Sequence, residues 1–264
     1  MYENFFGLRE SPFRVSPDPR FLVSTPETEE AVAALTFGVA QRRGFVLLSG
    51  EVGTGKTTIL NMFLEWLEAT HISTAYIFNP RLNVKEFFDF MLAEFGIPCD
   101  SELKSQQLLC LNRWLVERYR ANRTAVLIVD EAQNASTELL EEIRLLTNLE
   151  TSDGKLLQIV LSGQPELEYK LHQPELRQLQ QRITLRCKTC PLKLKQVATY
   201  INERFRIAGR EEGPIFSPAA IEAIHDYSQG IPRVINLVCD HALISAYAEG
   251  RRFIRLQDLG YWEE

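Results

Sequence analysis

The stretch Phe45-Val-Leu-Leu-Ser-Gly50-Glu51-Val52-Gly53-Thr54-Gly55-Lys56-Thr57-Thr58 constrains this chain more than any other. A short apolar run stops at a glycine-rich loop, and the loop runs into the amphipathic segment Ile59-Leu60-Asn61-Met62-Phe63-Leu64-Glu65-Trp66-Leu67. Gly50, Gly55, Lys56 and Thr57 satisfy the P-loop pattern G-x-x-x-x-G-K-S/T, in the strand–loop–helix context that the pattern requires. Glycines let backbone N–H groups turn inward around phosphates, where a side chain would block the approach. A helix starting near Lys56 adds the positive end of its dipole. The Lys56 ammonium is expected on the β- and γ-phosphates of a nucleotide, and the Thr57 hydroxyl on Mg²⁺. Gly50 through Thr58 are therefore the candidate nucleotide-binding residues. The plain alternative is a chance glycine-rich turn, against which strand, loop, lysine, threonine and helix in order weigh heavily.

A second constellation follows the apolar run Ala125-Val-Leu-Ile-Val129, whose continuous character marks a parallel strand buried on both faces. It ends in Asp130-Glu131, and ligand sites in open α/β sheets lie at the C-terminal ends of the strands. Asp130 is expected to hold Mg²⁺, directly or through water, and Glu131 to polarise the attacking water. Two solvated acids at a strand end are the alternative. Ser162 and Gln164 follow a later strand and are candidates to sense the γ-phosphate or the nucleophilic water. Arg177 and Arg182 precede the last strand, where an arginine offered to a neighbour's nucleotide works as a finger. An ordinary surface arginine is an equally good reading there. Arg233, after Gly230-Ile-Pro232, is placed to reach back over the phosphates.

The strands expected are 45–49, 74–78, 125–129, 156–161 and 183–187, alternating with helices over 27–42, 84–95, 108–119, 139–149 and 164–179. Such alternation predicts a parallel five-stranded α/β sheet with right-handed crossovers. From Leu192 onward only helices are expected, over 197–208, 218–227, 234–248 and 256–261. A domain boundary near Pro191 follows, giving a P-loop ATPase domain over 1–190 and a small all-helical lid over 191–264. Residues 1–24 hold Phe5, Phe6, Phe13 and Phe21 among Pro12, Pro17 and Pro19, so they are expected to wrap against a larger body.

Composition sets the outer limits. With 264 residues, 45% hydrophobic and 24% charged, the chain suits one large soluble domain or one and a half. A net charge of −6 argues against a dedicated nucleic-acid binder. Five scattered cysteines fit a reduced intracellular protein, and Cys187-x-x-Cys190 lacks the further ligands a zinc site needs. No run approaches a membrane span, and no signal peptide is expected at the start of the chain. The expected location is the cytoplasm, or the inner-membrane periphery.

P-loop, paired acids, polar fourth strand and helical lid in this order resemble an AAA+ ATPase. In closer detail the chain resembles the ExeA-like family, also called general secretion pathway protein A. The motifs that carry this are Phe5-Phe-Gly-Leu8, Ser11-Pro12-Phe13, Pro17-Asp-Pro-Arg20-Phe21, Gly50 to Thr58, Asp130-Glu-Ala-Gln133, Gly163-Gln-Pro-Glu-Leu167, Gln181-Arg182-Ile183 and Gly230-Ile-Pro-Arg233. The resemblance spans nearly the whole chain. It implies ATP and Mg²⁺ as ligands and a nucleotide-dependent homo-oligomer, a ring or a dimer. It also implies a partner in envelope secretion, pilus-like or polysaccharide export machinery. By resemblance, Lys56 and Thr57 are Walker A, Asp130 and Glu131 Walker B, Ser162 or Gln164 sensor 1, Arg182 the finger and Arg233 sensor 2. Longer members continue into a membrane span and a peptidoglycan-binding region, so direct cell-wall work is not expected of these residues. The competing class is a DNA-binding regulator of the transposition-ATPase type, which would use Arg204, Arg206 and Arg210, or Arg251, Arg252 and Arg255. A slow, nucleotide-gated scaffold is a third class. The chain has no N-K-x-D motif, which favours ATP over GTP, and Phe13, Phe21 and Ile231 are candidates for the base pocket or for plain core.

Overall fold

The computed structural model describes residues 1–152 and 154–259, in two compact units. One unit comprises Glu29–Gly50 and Met62–Thr189; the other comprises Met1–Thr28, Glu51–Asn61 and the chain from Cys190 onward. In chain order the helices are α1 (Pro26–Ala40), α2 (Lys56–Ala69), α3 (Val84–Glu94), α4 (Lys104–Arg120), α5 (Thr137–Leu146), α6 (Pro165–Leu171), α7 (Arg177–Arg182), α8 (Leu194–Ile207), α9 (Pro218–Ser228) and α10 (Pro232–Ala248). The strands are β1 (Phe45–Gly50), β2 (Ser73–Ile77), β3 (Ala125–Val129), β4 (Glu150–Thr151), β5 (Gly154–Lys155), β6 (Leu157–Gly163) and β7 (Leu185–Thr189).

Five strands form one parallel sheet in the order β2-β3-β6-β1-β7, with Phe45 opposite Ile159, Ala125 opposite Leu157 and Val46 opposite Leu185. Successive side chains of a strand point to opposite faces. Phe45, Leu47, Leu127, Val129, Ile159 and Leu161 join one core with Phe87, Leu111, Leu140 and Leu167 from the surrounding helices. The alternate residues Val46, Leu48, Val126, Ile128 and Val160 are also buried, so both faces are covered, as all-parallel sheets require. Gly38 lets α1 lie close on the second face, since a Cβ there would sit 2.6 Å from Val46 Cγ2. Asn83 and Glu86 close a reciprocal capping box at the start of α3, and the Ser136 hydroxyl caps α5.

The other unit gathers the N-terminal aromatic segment around α8, α9 and α10. Its centre is Arg204, which is 6% exposed. The guanidinium donates to Pro12 O at 2.6 Å and to the Tyr200 hydroxyl at 2.9 Å, while Tyr200 donates on to Asn236. It also lies 4.8 Å from the Phe21 ring centroid and 5.9 Å from that of Phe13, a desolvated cation–π arrangement. Phe13 and Phe21 are thus core residues, and Arg204 is not part of a basic surface. Of its neighbours, Arg206 pairs with Glu203, and Arg210 donates to Phe6 O and Gly213 O.

Several details depart from expectation. The single helix expected over 164–179 is two helices, because Pro174 has no N–H to continue the ladder and starts a 3-10 turn, Pro174–Leu176. β7 lies two residues later than expected, extending to pair Thr189 with Gly50. The β4–β5 hairpin was not expected, being too short to carry an alternating pattern. The last helix is a 3-10 turn, Leu256–Leu259; the rest of its expected span, through Tyr261, lies outside the described residues. Among the described residues no helix is long and apolar enough to cross a membrane.

Two stability outcomes follow. Arg204→Ala leaves Pro12 O without its donor and removes the cation from its rings; it should cost about 2–4 kcal/mol in denaturant melts, and a loss below about 0.5 kcal/mol would contradict this account. Burial holds the Cys187 thiol up at about 12, and raises the Tyr200 phenol and the Cys239 thiol above their ordinary values. The folded chain keeps protons that the unfolded chain gives up, so stability should fall as pH rises above about 9, read as a declining melting temperature.

Candidate active site

The strands of a parallel sheet end at a common edge, and each of three central strands ends there in polar residues. β1 ends at Gly50 and continues directly into the glycine-rich loop. β3 ends before Asp130, and β6 ends at Gly163, followed by Gln164.

In its own unit, the loop packs on the start of α10. Gly53 has φ +79°, and a Cβ there would fall 2.9 Å from Arg233 Cβ and 3.0 Å from Ile231 Cγ2. The Arg233 N–H donates to Gly53 O at 3.2 Å, so the expected second sensor and the loop are in contact, with the Arg233 side chain exposed. Gly55 adopts φ +100°, a conformation that L side chains rarely take, and its carbonyl accepts the Ile59 N–H in the first turn of α2. Thr54 Oγ1 donates to Glu51 O at 2.7 Å, and Lys56 Nζ donates to the same carbonyl at 2.9 Å. The lysine is 6% exposed and lies along the loop, while Thr57 stands exposed at the start of α2. A glycine-opened loop with a buried ammonium along it, at a helix N-terminus, suits a polyphosphate.

The acids belong to the sheet unit. Asp130 is 6% exposed; its Oδ1 accepts the Glu131 N–H at 2.9 Å, and its Oδ2 accepts the Tyr76 hydroxyl at 3.2 Å. Burial and the Asp130 carboxylate hold the Tyr76 phenol well above its usual value, so it remains a donor. Glu131 adopts a left-handed conformation, φ 50° and ψ 36°. Its Oε2 accepts from Gln133 Nε2 at 2.5 Å and from Gln164 Nε2 at 3.0 Å. Gln164, at the end of β6, thus reaches the second acid. Ser162 is wholly buried, and its hydroxyl has no hydrogen-bond partner among the described residues. Arg182 is exposed and donates to Asn148 Oδ1 at 3.3 Å; Arg177, at the start of α7, is also exposed.

Tyr76 and the donor role of Gln133 were not anticipated from the sequence. Tyr76 faces Asp130 because β2 pairs with β3 in the register Ile77 opposite Val129, and strand order is not written in the local pattern. Gln133 lies in the run Asp130-Glu-Ala-Gln133, yet its amide's target depends on the turn that follows Glu131.

A model of the AAA domain family matches residues 39–171, half of the chain. The chain belongs to that family of P-loop ATPases. It is similar to general secretion pathway protein A of Aeromonas hydrophila, at 47% identity over 251 residues, covering 95% of this chain and 46% of that protein. It thus spans about half the length of that relative. The fold is similar to that of the ORC2 protein of Aeropyrum pernix, with TM-score 0.63, 19% identity and coverage of 92% of this chain and 70% of that one. It is also similar to Cdc6p of Pyrobaculum aerophilum, with TM-score 0.66, 20% identity and coverage of 90% and 68%.

The close approach at Gly163 gives a direct check on the site. A Cβ there would lie 2.7 Å from Leu167 Cδ2 and 2.9 Å from Gln133 Oε1. Gly163→Ala should lower stability by about 1–3 kcal/mol in a denaturant melt, and an unchanged midpoint would contradict the packing.

Proposed function

We propose that this chain binds Mg-ATP through residues 50–58 and hydrolyses it, with Glu131 polarising the attacking water. The observation that carries this reading is the edge of the sheet, where a glycine-rich loop leaves β1 and two acids with distinct partners leave β3. Lys56 would neutralise the β- and γ-phosphates, and Thr57 and Asp130 would hold the Mg²⁺. The ion supplies charge neutralisation on the transferring phosphoryl group. Tyr76 orients the Asp130 carboxylate as a hydrogen-bond donor without adding charge. Gln164, and not the enclosed Ser162, is the residue we assign as sensor 1, because it touches Glu131. Arg233, packed on the loop, is assigned as sensor 2.

Arg182 is assigned as a finger that acts on a neighbouring copy's nucleotide in a homo-oligomer; its exposure at the end of α7 supports this. Residues 1–190 serve as the ATPase domain and 191–264 as its lid. The 47% identity to a protein named for the general secretion pathway supports work on an envelope export or assembly partner, in the compartment that supplies ATP. The DNA-binding alternative loses support because Arg204 is buried in the core.

Glu131→Gln should keep ATP affinity while slowing hydrolysis by roughly 10²–10⁴-fold, and Lys56→Ala should lose both. Arg182→Ala should leave binding intact and slow hydrolysis by roughly 10³-fold or more, and the wild-type rate per subunit should climb with protein concentration. Undiminished phosphate release by Glu131→Gln would remove the catalytic assignment. Full activity of Arg182→Ala would remove the finger.

A further inference from the structure

We infer that Gln133 is a positioning residue for hydrolysis, fixing the Glu131 carboxylate through one oxygen so that the other faces the attacking water. This rests on the reading of Glu131 as the water-polarising group.

Glu131 sits in a left-handed conformation, which strains a non-glycine residue and persists only where its surroundings impose it. Two amides impose it here, and both donate to the same atom, Oε2, from Gln133 at 2.5 Å and from Gln164 at 3.0 Å. The grip leaves Oε1 to accept from water. The Gln133 amide cannot flip, because its own Oε1 accepts the Gln164 backbone N–H at 3.1 Å. A flipped amide would set a carbonyl against the carboxylate and leave that N–H facing an NH₂ group. Gly163 makes room for the same oxygen, since a Cβ there would crowd Gln133 Oε1. From α6, Lys170 Nζ donates to the carbonyls of Gln133 and Ala135, fixing the turn that carries the amide.

The choice of donor suits the task. An arginine or lysine at 133 would pair with Glu131 and offset its charge, whereas a neutral amide orients the carboxylate and leaves the full negative charge to draw a proton from water. A side chain needed only to hold the turn would not aim its NH₂ at the one carboxylate assigned to chemistry.

The test compares Gln133→Glu and Gln133→Ala, with Glu131→Gln as the control, by steady-state phosphate release and by calorimetry of ATP binding. Gln133→Glu keeps the size of glutamine and can still accept the Gln164 N–H, but it faces Glu131 with a like charge in place of a donor. Gln133→Ala should lower kcat by roughly 10–100-fold with KM and ATP Kd within about twofold of wild type. Gln133→Glu should lower kcat at least as far despite its better fit. A merely structural role predicts the reverse order, with the isosteric Glu variant close to wild type, and that result would overturn the inference. So would a parallel loss of kcat, ATP affinity and melting temperature in both variants. If Glu131→Gln itself hydrolyses normally, the catalytic reading is what fails; if it is inactive while both Gln133 variants keep wild-type kcat, only the role of Gln133 fails.

Discussion

A parallel strand buried on both faces has no side-chain position left for polar chemistry, because each residue along it points into one core or the other. β1, β3 and β6 are buried along their whole length, and the acids and amides of the sheet unit's candidate site follow the C-terminal ends of β3 and β6. The glycine-rich loop can begin only after Gly50, the acids only after Val129 and the amide only after Gly163. Positions of chemistry are in this sense a consequence of hydrophobic burial. The same constraint explains the tight packing at Gly38, where α1 must come within reach of Val46 to cover the second face.

The two adjacent acids show how neighbouring carboxylates are given different surroundings. Asp130 is buried and met by a phenol that keeps its proton. Glu131 is turned out by its left-handed backbone and met by two amides on one oxygen. None of these side-chain donors carries a full charge, so neither acid is neutralised within the sheet unit by the groups that orient it. On the proposed reading, Asp130 is thereby left for a cation and Glu131 for a proton. In the other unit, Arg204 organises the N-terminal aromatics through a carbonyl, a hydroxyl and aromatic faces.

Periodicity and composition were enough to read the five-stranded parallel sheet and the run of C-terminal helices, because continuous apolar runs such as 45–48 and 125–129 have few other ways to be buried. The loop from Gly50 to Thr58 was legible because its residue types answer a specific chemical demand at fixed spacing. What stayed hidden depends on long-range pairing. Tyr76 meets Asp130 only once β2 is set beside β3, and Gln133 meets both Glu131 and Gln164 only once β6 is set beside β3. Arg204 looked like a surface charge because nothing local in the sequence reveals that Pro12 and Phe21, some 190 residues away, close over it. The helix expected over 164–179 breaks at Pro174, which lacks the N–H that a continuous helix needs.

The central claim is that the loop from Gly50 to Thr58 holds the triphosphate of ATP together with Mg²⁺. Calorimetric titration of the wild-type chain with ATP, with and without Mg²⁺, tests it most directly. The account predicts a saturable heat at about one nucleotide per chain, tighter with the ion than without it. The absence of any heat of association at millimolar ATP, with the chain folded, would contradict it.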